Sequence, residues 1–196
     1  MAKRKFGPNP YPYRDVTDLA ADFVKRLAQD ARCAAHALAP LLLPVAHRID
    51  GETCRTGGYM CLFEVVLATS SARQDNVVLC IPVGIVPNGK ARKYFRIAIK
   101  KATDLALRLK EGELLSWQSR NGKTRFAGAA ATPRENRQGR RCILSFSGLN
   151  GLADEAFVLV LMIYLRLITE KTARRLAAIS NNNYFEPMLE AVRRAA

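Results

Sequence analysis

Apolar residues recur about every four positions near the start of the chain, at Leu19, Phe23, Leu27, Ala31 and Leu38. That spacing lines one face of a helix. Asp15 or Thr17 supplies an N-cap and Pro40 a stop, so an amphipathic helix is expected between them, followed by an irregular crossover through residues 41–44 and 51–58. The pattern then changes. Residues 59–69 and 77–85 are rich in β-branched and large apolar side chains and are separated by a polar stretch, which predicts two strands.

Two turn signals organise the middle of the chain. At Pro87-Asn88-Gly89 a two-residue loop would pair Ile85 with Arg92 and Ile81 with Arg96, mixing charge into an apolar face. A three-residue loop with Gly89 in the left-handed position instead pairs Ile81 with Phe95, Leu79 with Ile97 and Val77 with Ile99. That register predicts a third strand, with Arg92, Tyr94 and Arg96 on the face away from the core. The alternation at Leu105, Leu107 and Leu109 predicts another strand. A helical stripe through Phe95, Ala98, Ala102, Leu105 and Leu109 competes with both. It is set aside because it strands Ile97 and Leu107 on the charged side. At Asn121-Gly122 a type I′ hairpin opposes Trp117 to Phe126 on a core face and directs Arg120, Lys123 and Arg125 outward.

Residues 132–141 form a polar loop carrying Arg134, Arg137, Arg140 and Arg141 against Glu135, and the stretch 142–147 reads as a strand that closes the sheet. Asn150 caps a final long helix with Asp154 and Glu155 in its first turn. Residues 157–165 of that helix are apolar all round, so it requires enclosure, either by a curved sheet or between a sheet and the first helix. The fold class expected is α+β: an N-terminal helix, a mostly antiparallel curved sheet of six or seven strands, and a buried C-terminal helix. Residues 1–14, with three prolines and a basic head, read as an extended arm, and residues 15–196 as one domain, since no Ser/Gly/Pro linker divides them. No apolar core follows the basic start, as a secretory signal would require, and the longest apolar run is too short to cross a bilayer. A cytoplasmic protein without membrane contact is expected.

Charge then narrows the class of partner. The chain carries 31 Lys+Arg against 17 Asp+Glu, a formal net charge of +14. Between Lys90 and Arg141 the only acids are Asp104, Glu111, Glu113 and Glu135, so the excess is concentrated there. Such a patch attracts polyanions through their phosphates.

Other chemistry leaves weaker traces. Five cysteines, Cys33, Cys54, Cys61, Cys80 and Cys142, are odd in number and in apolar company, which points to buried thiols rather than a disulfide framework. Cys33, His36, His47, Cys54 and Cys61 match no common zinc spacing, so no metal is expected. Residues 84–90 match the G-x-x-x-x-G-K of a phosphate-binding loop, but Ala91 replaces the hydroxyl that would hold Mg²⁺ and the same residues are used by the hairpin. No catalytic residue and no cofactor are assigned. The function expected is non-enzymatic binding of nucleic acid, DNA or RNA, through phosphate contacts from Arg92, Tyr94, Arg96, Arg120, Lys123 and Arg125 on the sheet and from Arg134, Arg137, Arg140 and Arg141 on the loop. The alternatives are a site for a small apolar ligand between helix and sheet, or an interaction module or inhibitor that binds an acidic protein.

Overall fold

A computed structural model describes residues 21–51, 55–66, 75–121, 123–135 and 140–195. The predicted arm, the Asp15 or Thr17 cap, Cys54, Gly122 and Arg137 lie outside them.

Helix α1 spans Ala21–Asp50 and runs through both Pro40 and Pro44. The expected stop at Pro40 is therefore wrong. Proline removes an amide donor and crowds the preceding turn, at about 3 kcal/mol within a helix. Pro40, Pro44 and His36 are spaced by four and all exposed, so the carbonyls that lose a donor meet water. The buried stripe continues past them as Leu38, Leu42, Leu43 and Ala46, and this burial holds the helix together.

Strands β1 (Gly57–Val66) and β2 (Asp75–Gly84) pair antiparallel as expected, with Met60 opposite Ile81 and Cys61 opposite Cys80. Cys61 and Cys80 are joined as a disulfide, their Cα atoms 4.2 Å apart, which corrects the expectation of free thiols at these two positions. Cys33 and Cys142 are free, and burial pushes the Cys142 thiol up to about 12.

The next element departs from expectation. Residues Ala91–Ala106 form helix α2, and a short 3-10 turn at Leu109–Glu111 follows, so the strands assigned to Arg92–Ile99 and Leu105–Leu109 do not exist. The turn at Asn88 is real: Gly89 has φ +80° and the Lys90 amide donates to the Pro87 carbonyl. It delivers the chain into a helix rather than back along β2. Ala98, Ala102, Leu105 and Ala106 are buried, and small side chains at these positions let α2 lie close on the sheet. The helical stripe does leave Leu107 exposed and Ile97 only half-buried, as the sequence indicates. Covering a whole sheet face outweighs leaving one leucine in water.

The second predicted hairpin is also absent. Leu115 bridges to Ala130, but the chain then leaves the ladder because side chains satisfy its amides locally. Gln118 Oε1 accepts from the Leu114 and Leu115 amides at 2.8 and 3.0 Å, and Asn121 Oδ1 accepts from the amides of Lys123, Thr124 and Arg125. Trp117 and Phe126 are not cross-strand partners.

Strands β3 (Ala129–Ala131) and β4 (Arg140–Ser147) complete an antiparallel sheet in the order β2-β1-β4-β3, so the described residues form four strands where six or seven were expected. β4 sits inside the sheet, not at its edge. Alternation divides the strands between two cores. Met60, Leu62, Leu144 and Phe146 face α1 and three C-terminal helices, α3 (Gly151–Tyr164), α4 (Glu170–Ile179) and α5 (Phe185–Ala195). Cys61, Phe63, Val65 and Ile143 face α2. Both sheet faces are covered, so the predicted basic outer face of the sheet is not there. Helix α3 is enclosed as its composition demands: residues 153–162 are all buried between sheet and helices, with Phe157 stacked on Phe146 at 4.4 Å. No helix among the described residues is long and apolar enough to cross a membrane.

Candidate anion-binding cleft

A cleft of about 610 Å³ opens where the start of β1, the first turns of α2, the irregular 117–127 segment and the β4–α3 junction converge. Each wall follows from local sequence. On α2, Lys90, Lys93, Tyr94, Ile97 and Lys101 line it, a spacing of three and four that turns one helical stripe toward the cavity. From the irregular segment come Trp117, Arg120, Arg125 and Phe126, with the Arg120 guanidinium lying over the Trp117 ring. Arg55 enters from the turn before β1.

The β4–α3 junction is the most rigidly held wall. Asn150 caps α3 by accepting from the Ala153 amide at 2.9 Å, as its sequence position predicts. Its side-chain amide donates to Asp50 at the end of α1 and to the Tyr184 hydroxyl before α5, and Tyr184 in turn donates to Asp50. Burial and the Asp50 carboxylate push the Tyr184 phenol up, so it stays a donor. Gly151 and Leu152 also line the cleft, and their amides have no acceptor among the described residues, as expected in the first turn of a helix.

The floor holds a buried ion pair that the sequence reading missed. Lys101 Nζ meets Asp154 Oδ2 at 2.5 Å and donates to the Phe146 carbonyl at 2.8 Å, and both residues are 2% exposed. Asp154 Oδ1 also accepts from the Gly148 and Leu149 amides. Burial pushes the Asp154 carboxyl up, against the downward pull of the Lys101 ammonium and of those two amides. Gly128 makes room for the pair. A Cβ there would lie 2.6 Å from both Asp154 Cβ and Lys101 Nζ, at a φ of +113°.

Among the described residues six cationic side chains line the cavity against one carboxylate, Asp154, which is bound to one of the six, Lys101. Lys90, Lys93 and Arg125 make no ion pair among the described residues, whereas Glu170, Glu186 and Glu190 gather around Arg174, Arg193 and Arg194 on α4 and α5. The structure thus brings together Tyr94, Arg120 and Arg125 of the residues singled out from sequence. Arg92 and Arg96 are exposed on other faces of α2, and Lys123 is exposed on the loop organised by Asn121. The described arginines of the 132–141 stretch, Arg134, Arg140 and Arg141, lie elsewhere. Arg140 and Arg141 begin β4 while Ser147 at its other end lines the cleft, about 20 Å away along the strand. Arg141 is paired with Glu135 at 3.3 Å, and Arg134 is exposed beside them.

The other motifs do not converge on a site. Among the described residues no cluster of three or more potential metal ligands occurs: Cys33 and His36 are exposed on α1, and His47 bonds the Arg55 carbonyl at 2.7 Å. The phosphate-loop match does lie between a strand and a helix. However, the Ile85 amide donates to Thr56 and the Lys90 amide to Pro87, and Pro87 has none, so few donors remain to wrap a phosphate. No known protein family, characterised protein or solved structure matches the chain.

Proposed function

We propose that this protein binds nucleic acid without transforming it, taking phosphates into the cleft between α2, the 117–127 segment and the start of α3. The observation that carries the reading is the imbalance there: beside the mutually neutralised Lys101–Asp154 pair, Lys90, Lys93, Arg120 and Arg125 gather around one concavity with no further carboxylate among its described lining. Like charges gathered on one concave surface repel, and a polyanion both relieves that repulsion and releases condensed counterions. Tyr94, Trp117 and Phe126 in the same walls supply the apolar surface that bases require. Arg92, Arg96 and Lys123 extend the positive field outward from the same elements. Arg134, Arg137, Arg140 and Arg141 are not needed by this reading.

The test is a matched pair of triple charge reversals. Lys90→Glu/Lys93→Glu/Arg125→Glu alters three exposed cleft residues, and Lys110→Glu/Lys171→Glu/Arg175→Glu makes the same change in net charge on other surfaces. Oligonucleotide binding is followed by fluorescence anisotropy over a salt series. Wild type should weaken with a log-log slope of roughly −0.7 to −0.9 per phosphate contact. The cleft variant should lose most of that slope and the control little of it, with both folded, because exposed charges contribute little to stability. Equal effects of the two variants, or no binding by wild type at low salt, would defeat the proposal.

A further inference from the structure

We infer that the cleft takes an unpaired nucleotide, so that single strands, or free nucleotides of the same chemistry, are bound in preference to blunt duplex; this rests on the nucleic-acid reading above. Three features select this ligand class. The first is size: about 610 Å³ is the volume of a site for one small molecule, not of a groove that follows a double helix.

The second is the kind of apolar surface inside. Arg120 lies over Trp117, and both line the cavity together with Tyr94 and Phe126. A guanidinium stacked on an indole is a planar, cationic platform, and bases stack on aromatic rings and on guanidinium planes alike. Bases within a duplex have both faces covered by their neighbours. Only an unpaired base, at a strand end, in a loop or on a free nucleotide, offers its face to such a platform.

The third is the placement of charge around that platform. Lys90 and Lys93 stand one helical turn apart on the same wall as Tyr94, within reach of the sugar-phosphate of a base held below them. Gly151 and Leu152 belong to the same lining, and their amides, without an acceptor among the described residues, add donors of the kind a phosphate oxygen takes. Lys101 and Asp154 at the floor offer polar edges without a net charge. The whole arrangement pairs a stacking surface with phosphate donors across one nucleotide's length.

Trp117 is the only tryptophan in the chain, so its emission reports this cavity and nothing else. The experiment titrates the full-length protein with four probes: a single-stranded oligonucleotide, a blunt duplex of the same sequence, a nucleoside 5′-monophosphate, and inorganic polyphosphate. Anisotropy or competition measures binding, and Trp117 emission measures occupancy of the cleft. The expected result is saturable quenching by the single strand, weaker binding of the duplex without quenching, and a loss of roughly tenfold or more in single-strand affinity for Arg120→Ala, an exposed position whose variant is checked for an unchanged fold by circular dichroism. Tyr94→Ala should act in the same direction. Quenching by the monophosphate as well as the oligonucleotide supports the inference and extends it to free nucleotides. Quenching by the monophosphate alone supports the unpaired nucleotide and refutes nucleic acid as its source. Duplex bound as tightly as single strand, or polyphosphate matching the oligonucleotide with Arg120→Ala unaffected, overturns the inference while leaving phosphate binding in place. No binding of any nucleotide-containing probe defeats both.

Discussion

Glu155 is buried in the first turn of α3 and carries half of its hydrogen bonding. Oε1 accepts from the Ser180 hydroxyl and from the Asn182 amide at 3.1 Å, whereas Oε2 has no partner. Burial pushes the carboxyl up to about 7, although those two hydrogen bonds and the charges of Arg120 and Lys101 pull the other way. The reference value is 4.5. Below pH 4.5 the group is protonated in both folded and unfolded chains and costs nothing. As pH rises toward 7 the unfolded chain releases its proton while the folded one keeps it, so stability falls; above 7 the loss is complete. A displacement of about 2.5 units corresponds to roughly 3 kcal/mol. Glu155→Gln imitates the protonated acid and keeps the acceptor for Ser180 and Asn182. It should therefore raise stability at pH 8.5 by up to about 3 kcal/mol, less what the second amide hydrogen costs when left unpaired, and have little effect at pH 5. Urea denaturation of both proteins at both pH values measures this, because the response of the remaining charges cancels in the difference. A variant effect that is the same at pH 5 and 8.5 would show that the carboxyl is not raised, and the account of its burial would be wrong.

The other predictions concern the floor and the entrance of the cleft. Lys101→Met should destabilise by about 3–5 kcal/mol because it leaves Asp154 buried without its partner, while Lys101→Met/Asp154→Leu should recover part of that loss; a double variant no better than the single would show that the pair is not the unit. Gly128→Ala should cost several kcal/mol in urea denaturation, on the order of breaking the pair, since its methyl enters the space of both charged side chains. Gly89→Ala, at φ +80° with open space around it, should cost only about 1 kcal/mol, and a larger loss would mean that the turn into α2 carries more than a backbone preference.

Legibility of the fold followed whether a pattern had one solution or two. Leu27, Ala31 and Leu38 marked the inner face of α1, and the strands β1 and β2 and the Asn150 cap could be read because each matched one local pattern without a competitor. Residues 91–106 satisfied two. Alternation and a four-residue stripe share Phe95 and Leu105, and sequence offers no measure of what each would cover. The choice turned on Ile97 and Leu107, yet the deciding quantity was the bare face of β1 and β4 presenting Phe63, Val65 and Ile143, which only a helix of small residues closes. At Pro40 the local rule was sound and tertiary packing overrode it, because both prolines point to water along one exposed stripe.

The candidate site was half visible for a related reason. Net charge pointed to the segment that supplies most of the cleft's cations, since Lys90, Lys93, Lys101, Arg120 and Arg125 all fall within 90–141, but it did not tell residues sharing a cavity from residues sharing a strand. Helical spacing does: Lys90, Tyr94, Ile97 and Lys101 follow one another at three and four, and Lys101 interrupts a run of buried alanines. A lysine on the apolar stripe of a helix requires a buried acceptor. Sequence marked two acids after Asn150, Asp154 and Glu155, and only the packing of α2 against the β4–α3 junction selects Asp154 as the partner of Lys101. Arg55 had no such signal, because its position depends on the turn before β1 closing onto His47, a contact no local pattern encodes. The arginines at 134–141 were drawn into the site by charge alone. Arg140 and Arg141 are held apart from it by β4 itself, an extended strand that they begin and that ends at the cap of α3, a length no increase in local charge could shorten.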